Sequence, residues 1–197
     1  MPETSRPSRL TPRIAALVAA LVLAAAVGLY AVMAFTQGPG PSLIGGPFAL
    51  QTGDGKTVTD ADMKGEPFLV YFGYTHCPDV CPTTLAQISD VLKRLPGKAI
   101  RVLFITVDPE RDTPRLMSDY VSSFDPRIIG LSGNTEEVAQ VLREYRVYAR
   151  KAPGADGDYS MDHSSVIYLM DAKGRFVEAF NLERSPDDSA KELQGYM

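Results

Sequence analysis

Both cysteines of this 197-residue chain lie in one short segment, THCPDVCPTT at residues 75–84. Three residues separate Cys77 from Cys81, and a proline follows each of them. Thiolates serve proteins as nucleophiles, redox groups and soft metal ligands, so the segment could be a structural disulfide, a redox dithiol or a metal clamp. A disulfide that closes so short a loop restricts the unfolded chain very little, which makes the purely structural bridge the weakest of the three.

The two prolines predict the local backbone as well. Proline disfavours the α conformation in the residue before it and is well tolerated at the first position of a helix. We therefore expect Pro82 to begin a helix and Cys81 to be its N-cap, at the positive end of the helix dipole. That position predicts a lowered pKa for the Cys81 thiol, toward the thiolate that nucleophiles and metal ligands both require.

A further candidate ligand lies far along the chain. The sequence has two histidines, and His163 stands directly before a predicted core strand that begins at residue 164. If that strand pairs beside the strand preceding Cys77, the imidazole comes up against the cysteine turn. Two thiolates and an imidazole suit Cu(I), and the imidazole also accepts Cu(II), whereas structural zinc usually takes a fourth protein ligand. From position alone, a metal-free histidine hydrogen-bonded at a strand end is an equal alternative.

The elements that must position these residues alternate between strand and helix. Short apolar runs predict buried strands, and apolar residues at helical spacing predict amphipathic helices. The predicted strands are 67–74, 99–108 and 127–133, the helices 85–95, 113–124 and 134–152, the loop 153–160 and the closing hairpin 164–181, with a terminal helix after it. This order predicts an α/β, thioredoxin-like domain: a central, mostly parallel sheet with a closing hairpin, flanked by helices, and the cysteine turn at the carboxyl edge of its first buried strand.

The N-terminal part of the chain predicts a membrane anchor. Ile14–Phe35 carries no charge over 22 residues, which is long enough for one helix to cross a bilayer. Three arginines precede it, so the positive-inside rule places residues 1–13 in the cytoplasm and the rest outside. A cleaved signal peptide is the alternative, although its apolar region is usually shorter. We expect a transmembrane helix at 14–35, a linker at 36–47 and a soluble domain at 48–197.

The charge balance bears on the partners. The formal net charge is −4, and the first 36 residues contribute +2, so the remaining domain carries about −6. A nucleic-acid partner needs a basic face on the protein. We therefore expect no nucleic-acid binding, and an acidic domain suits a basic partner surface.

Three segments carry a resemblance to a known family. YFGYTHCPDVCPTTL, FITVDPERDTP and DHSSVIYLMDAKGRF, behind an N-terminal anchor, resemble the SCO/SenC family of copper-binding assembly factors for cytochrome c oxidase, over about residues 47–195. The resemblance implies a thioredoxin-like fold and one copper ion held by Cys77, Cys81 and His163. It also implies delivery of copper to the binuclear copper site of oxidase subunit II, or reduction of the cysteines of that site.

The resemblance and the N-terminus together suggest a cellular location. The short N-terminus shows no amphipathic transit peptide, which favours a bacterial inner membrane with the soluble domain in the periplasm over the mitochondrial inner membrane. Another periplasmic copper donor, or a thiol reductase, is a further candidate partner. The main alternative function is a thiol–disulfide oxidoreductase. Such enzymes usually carry a cis-proline before the strand at 164, but the nearest upstream proline here is Pro153.

The neighbours of the candidate ligands have more modest expected roles. We expect His76 to lie at the surface or to support a ligand without binding the metal, and Met161 to fill space in the core. Asp79 either orients the thiolates or stabilises its loop, and Asp162 either fixes the imidazole or faces solvent. The DPERDTP segment is expected to supply turn and helix-cap chemistry only.

Overall fold

The computed structural model describes residues 12–36, 43–95, 97, 100–154 and 158–197, with side chains of the first helix described at 14–30. The chain divides into two compact units, Met1–Pro41 and Ser42–Met197. Residues 1–11 of the predicted segment 1–13 and residues 37–42 of the predicted linker 36–47 lie outside the described residues.

The first unit contains one long helix, α1 (Pro12–Thr36). Its side chains from 14 to 30 are all exposed. Within the part of the chain that the structure describes, no helix is both long enough and apolar enough to cross a membrane. A helix over the predicted residues is therefore confirmed, and a membrane span at 14–35 is not.

The second unit is an α/β domain whose elements alternate much as the apolar pattern predicts. They are β1 (Ala49–Gln51), β2 (Thr57–Thr59), a 3-10 turn (Ala61–Met63), β3 (Phe68–Gly73), α2 (Val80–Lys93), β4 (Arg101–Thr106), α3 (Pro114–Val121), β5 (Ile128–Leu131), α4 (Thr135–Glu144), β6 (Ala149–Pro153), β7 (Tyr159–His163), β8 (Ile167–Met170), β9 (Phe176–Ala179) and α5 (Pro186–Gln194).

The central sheet has the strand order β5-β4-β3-β8-β9. β3, β4 and β5 are parallel to one another, while β8 and β9 form the antiparallel closing hairpin. The sheet is thus mixed, where the sequence predicted a mostly parallel one, because the hairpin supplies two of its five strands. Tyr71 pairs with Ile167 across β3 and β8. This register puts the start of β8 beside the end of β3, where the cysteine turn begins.

The hydrophobic core lies on both sides of β3 and β4. All six residues of β3 are buried, as expected for a central strand covered on both faces. Tyr71 and Phe72 are core residues with no exposed surface, and the Tyr71 ring stacks on Phe104 at a centroid distance of 5.7 Å. Leu85, one of the apolar residues predicted to line a helix face, is buried in α2. The strands that carry the cysteine turn are therefore rigidly packed.

The segment before His163 differs from the prediction. The helix predicted at 134–152 ends at Glu144, and Arg146 then adopts a left-handed backbone with φ of 56°. The chain continues as β6, which pairs with β7 in an antiparallel ribbon, with Ala149 opposite His163. The amphipathic pattern runs on past 144, but strand pairing with residues far along the chain overrides local helix propensity there. As a result, His163 is the last residue of β7, and β8 begins at Ile167, whereas the sequence predicted a loop at 153–160 and a strand beginning directly after His163.

Candidate metal centre

The cysteine turn connects β3 to α2. Helix α2 begins at Val80 with Asp79 as its N-cap, so Cys81 is the second helical residue. The prediction that Cys81 would be the N-cap is wrong. The first turn of a helix has amides without helical partners, so Pro82 fits at its third position without removing a bond. One of those free amides, the Cys81 N–H, donates to Cys77 Sγ at 3.3 Å.

The two thiols have different surroundings. Cys81 is completely buried, whereas Cys77 is partly exposed, and neither is in a disulfide. Burial disfavours the charged thiolate, so it raises the pKa of Cys81, although a backbone hydrogen bond at Tyr74 acts in the opposite direction. The lowered pKa predicted for Cys81 is therefore wrong. The Cys81 N–H at this helix terminus donates to Cys77 Sγ.

The imidazole of His163 lies against the buried thiol. Its Nε2 is 4.0 Å from Cys81 Sγ, although 82 positions separate the two residues. Its Nδ1 is 3.0 Å from the carbonyl oxygen of Ser164, and the Tyr74 ring meets it edge-on at 5.8 Å. If Nδ1 carries the proton and donates it to that carbonyl, the lone pair of Nε2 faces the sulfur. This is the tautomer that a metal bound at Nε2 requires.

The spacing and donor types of this pair fit a thiolate- and imidazole-binding metal. With metal–sulfur and metal–nitrogen bonds of about 2.3 and about 2.1 Å, as known for zinc, and a trigonal angle, sulfur and nitrogen would stand about 3.8 Å apart. The observed 4.0 Å between Cys81 Sγ and His163 Nε2 is close to that value. Among the described residues, however, no three His, Cys, Asp or Glu side chains are already gathered into a metal-binding group. The structure thus pairs Cys81 with His163, and Cys77 stands beside the pair at the amide of Cys81.

A glycine leaves the space that the buried sulfur occupies. A Cβ atom built on Gly73, the last residue of β3, would lie 2.7 Å from Cys81 Sγ and 2.7 Å from Phe104 Cε2. Contacts that short do not occur in relaxed proteins, so a larger residue at this position would displace the thiol. Gly73 is a site residue that the sequence did not reveal, because a glycine at the end of a predicted strand indicates only that the strand ends there.

The neighbouring candidate residues are not gathered around the thiols. His76 is half exposed and turns its Nδ1 to Thr75 Oγ1, at 3.1 Å. Asp162 is 64% exposed and its nearest charged contact is Arg150, at 3.9 Å, so it faces solvent. Met161 packs against the core, as predicted. Asp79, although an N-cap, accepts no capping hydrogen bond in the structure described.

The DPERDTP segment contributes more than the turn chemistry predicted for it. The carboxylate of Asp112 is completely buried and accepts hydrogen bonds from the backbone N–H of Thr75 at 3.0 Å and from its hydroxyl at 2.5 Å. It also accepts one from the Thr106 hydroxyl at 2.8 Å. Asp112 therefore fixes the first residues of the cysteine turn. Acidic residues at the carboxyl end of a buried strand were the available signal, but their partner lies 37 positions away.

A family comparison accounts for this combination of fold and site. The family model for SCO1/SenC matches residues 36–197. The chain belongs to the SCO1/SenC family. Its relative "Protein SCO1 homolog 1, mitochondrial" of Arabidopsis thaliana is 42% identical over 173 residues, which cover 83% of this chain and 52% of the relative. The chain thus spans about half the length of that protein.

Solved structures of the SCO1/SenC family share the fold. Bradyrhizobium japonicum ScoI, a structure with copper bound, is 56% identical with a TM-score of 0.76, over 78% of this chain and 99% of that one. BsSco is described as having a disulfide switch and as a member of the Sco family of cytochrome c oxidase assembly proteins. It is 26% identical with a TM-score of 0.63, over 80% of this chain and 95% of that one. These likenesses confirm the α/β, thioredoxin-like class predicted from the order of elements.

Proposed function

We propose that this chain binds one copper ion through Cys77, Cys81 and His163 and serves the maturation of the binuclear copper site on subunit II of cytochrome c oxidase. The observation that carries the proposal is the approach of His163 Nε2 to within 4.0 Å of Cys81 Sγ from a distant part of the chain. The copper bound in the similar Bradyrhizobium structure supports it. Thiolates favour Cu(I), and the imidazole also accepts Cu(II).

The residues of the site suggest how copper would be carried and released. Cys81 is completely buried in the core, and the partly buried His163 has its Nδ1 3.0 Å from the Ser164 carbonyl oxygen. Cys77 lies on the partly exposed side, so an acceptor thiolate or imidazole would reach the ion beside it. Copper is then a substrate that the chain transfers, with one ligand exchanged at a time. Both thiols must be reduced before the chain can bind it.

The proposed location of the soluble domain is the periplasmic side of a bacterial inner membrane. Its support is the uncharged segment 14–35 and the three arginines before it, read with the positive-inside rule. Membrane fractionation of the full chain, with alkaline extraction, tests this part of the proposal. Release of the chain into the soluble fraction would contradict the anchor and leave the copper site unaffected.

The copper site is tested by metal binding to single variants. We expect the reduced wild-type chain to bind one copper ion, and His163→Ala to lose at least tenfold in Cu(I) affinity in a competition titration with a chromophoric chelator. Cys77→Ser and Cys81→Ser should lose more, because each removes a soft ligand. His76→Ala is the matched control. The His76 ring faces Thr75, so its removal should leave the copper affinity unchanged. An unaltered affinity in His163→Ala would contradict the ligand set.

A second function, reduction of an acceptor disulfide, is favoured by the exposure of Cys77 and by its closeness to Cys81. In that reaction Cys77 attacks one sulfur of the acceptor disulfide, which forms a mixed disulfide and releases the acceptor's other thiolate. Cys81 then attacks the Cys77 sulfur and releases the second acceptor thiolate. The acceptor gains two electrons and two protons, and the chain ends with a Cys77–Cys81 disulfide. His163 is not needed for this exchange. If a His163→Ala chain that no longer binds copper still restores oxidase assembly in a deletion strain, reduction is the function and copper delivery is not.

A further inference from the structure

The ribbon that carries His163 is joined to the rest of the domain by few directional contacts. β6 and β7 pair with each other and, among the described strands, with no other strand. Ala149 and Met161 pack against the core from the ribbon, but apolar contacts are non-directional and do not by themselves set its orientation. Polar contacts between the ribbon and the sheet must therefore determine where β7 ends, and with it where the imidazole lies.

Several of these polar contacts meet at Tyr159, the first residue of β7. The ribbon also has an ion pair between Lys151 and Glu110 at 2.6 Å and a hydrogen bond between the backbone of Met161 and Tyr74. The Arg111 guanidinium lies over the Tyr159 ring at 3.7 Å from its centroid, and Arg111 Nη1 donates to the Tyr159 carbonyl oxygen at 3.0 Å. The Tyr159 hydroxyl donates to Asp108 Oδ1 at 2.9 Å. Ring, hydroxyl and backbone of one residue are thus all held at once.

The partners of Tyr159 are themselves fixed to the central sheet. Asp108 follows β4, is 1% exposed, and pairs with the Nε of Arg111. Its backbone N–H donates to Thr106 Oγ1 at 2.9 Å. The side chain of Arg111 is 16% exposed. Its described contacts go to Asp108, to Tyr159, to Asp158 directly before β7 and, at 5.9 Å, to the ring of Tyr74. A largely buried cation–π contact with charge-assisted hydrogen bonds is stronger and more directional than a surface ion pair.

The same turn also holds the cysteine half of the site. Asp112, one residue after Arg111, binds Thr75 at the start of the cysteine turn. Residues 108–112 therefore hold the cysteine turn through Asp112, and they hold the histidine ribbon through the side chains of Asp108, Glu110 and Arg111.

We propose that Arg111 and Tyr159 are positioning residues: they lock the β6–β7 ribbon onto the end of β4 and so set His163 against Cys81. The proposal rests on the copper site proposed above. Partners of metal-binding histidines typically change metal affinity by about 10- to 100-fold when removed. Because Arg111 and Tyr159 act through the strand and not on the ring itself, we expect about a tenfold loss of copper affinity, at the lower end of that range.

The test compares graded variants with a matched control. Tyr159→Leu removes the ring from Arg111 and the hydroxyl from Asp108, and Tyr159→Phe removes only the hydroxyl. Arg111→Gln removes the cation, while Arg111→Lys keeps the charge but loses the planar fork. Arg115→Gln is the control, since that arginine is 78% exposed and, among the described residues, forms its ion pair with Asp119 on its own helix.

Two measurements separate positioning from a loss of stability. The first is the NMR signal of the His163 ring in the metal-free, reduced chain. We expect this signal to shift and broaden in Tyr159→Leu and Arg111→Gln and to change less in Tyr159→Phe and Arg111→Lys. It should stay unchanged in Arg115→Gln. The second is copper affinity in the wild-type and His163→Ala backgrounds. If Tyr159 acts through His163, Tyr159→Leu should cost about tenfold in the first background and nothing further in the second.

Each outcome bears on one proposal or the other. An unchanged His163 ring signal with unchanged copper affinity in Tyr159→Leu overturns the positioning role, as does an equal loss of affinity in both backgrounds. If His163→Ala alone leaves copper affinity intact, the ligand assignment fails, while the ring signal still reports on the ribbon. Should Arg111→Gln not fold, Tyr159→Leu, which leaves the buried Arg111–Asp108 pair in place, decides the question.

Discussion

Replacing Gly73 with alanine would drive a methyl group into the sulfur of Cys81. The added Cβ would lie 2.7 Å from Cys81 Sγ, 2.7 Å from Phe104 Cε2 and 3.0 Å from Phe104 Cζ. All three atoms belong to completely buried side chains, so neither neighbour can turn out into solvent. Overpacking of this kind costs about 1–3 kcal/mol, and for a domain of this size each 1 kcal/mol lowers Tm by about 2–4 °C.

The assay is urea unfolding of the metal-free, reduced chain, analysed as a double-mutant cycle. We expect Gly73→Ala to lower the midpoint without changing the slope. Cys81→Ala removes the sulfur and should relieve part of the clash, so Gly73→Ala should cost about 1 kcal/mol less in the Cys81→Ala background. The contact with Phe104 accounts for the cost that remains.

Copper binding supplies the second half of this prediction. A displaced Cys81 sulfur can no longer stand at bonding distance from an ion held by His163, so Gly73→Ala should lower copper affinity as well as stability. A Gly73→Ala chain that is as stable as wild type and binds copper equally well would refute the close packing of the thiol against β3.

Two other predictions concern buried carboxylates. The Asp125 pKa is lowered, chiefly by its hydrogen bond to Arg127, so this pair contributes stability above the unfolded pKa of about 3.9 that is lost as the pH falls toward the folded value. In urea unfolding, Asp125→Asn should therefore lose less stability than wild type between pH 7 and pH 3. An identical loss in the two proteins would contradict the lowered pKa. In Asp112→Asn, an amide N–H₂ faces at least one of the hydroxyl or N–H groups that now donate to the carboxylate, which should lower the free energy of unfolding by about 1–3 kcal/mol. Hydrogen exchange should be faster at the amide of Thr75. The exposed control Asp119→Asn should change neither the free energy of unfolding nor the exchange rate at Thr75.

Much of the fold was predictable because its signals are local. The burial of β3 follows from a continuous apolar run, and the start of α4 from Asn134 and Glu137, which form a capping box within four residues of chain. The terminal helix likewise begins after Ser185, whose hydroxyl caps it. Each of these features depends on residues that are neighbours in sequence, so the physical cause is already visible in the printed chain.

The predictions from sequence were wrong where contacts between distant segments of the chain determine the local structure or the pKa. The pattern of 134–152 is amphipathic throughout, yet its last part leaves the helix to pair with β7. The Cys81 pKa was predicted from the helix terminus alone, but burial by the surrounding core outweighs that local effect. Neither the pairing partner nor the depth of burial is encoded within a few residues of the position concerned.

The sequence by itself determined which donor atoms are available and the order of the elements that carry them: two thiols in one turn after a buried strand, and an imidazole before another. Only the tertiary structure decided that His163 faces Cys81. It did so through the register of β8 against β3 and the attachment of Tyr159 to Arg111. Both depend on contacts between residues tens of positions apart, and such contacts exist only once the chain is packed.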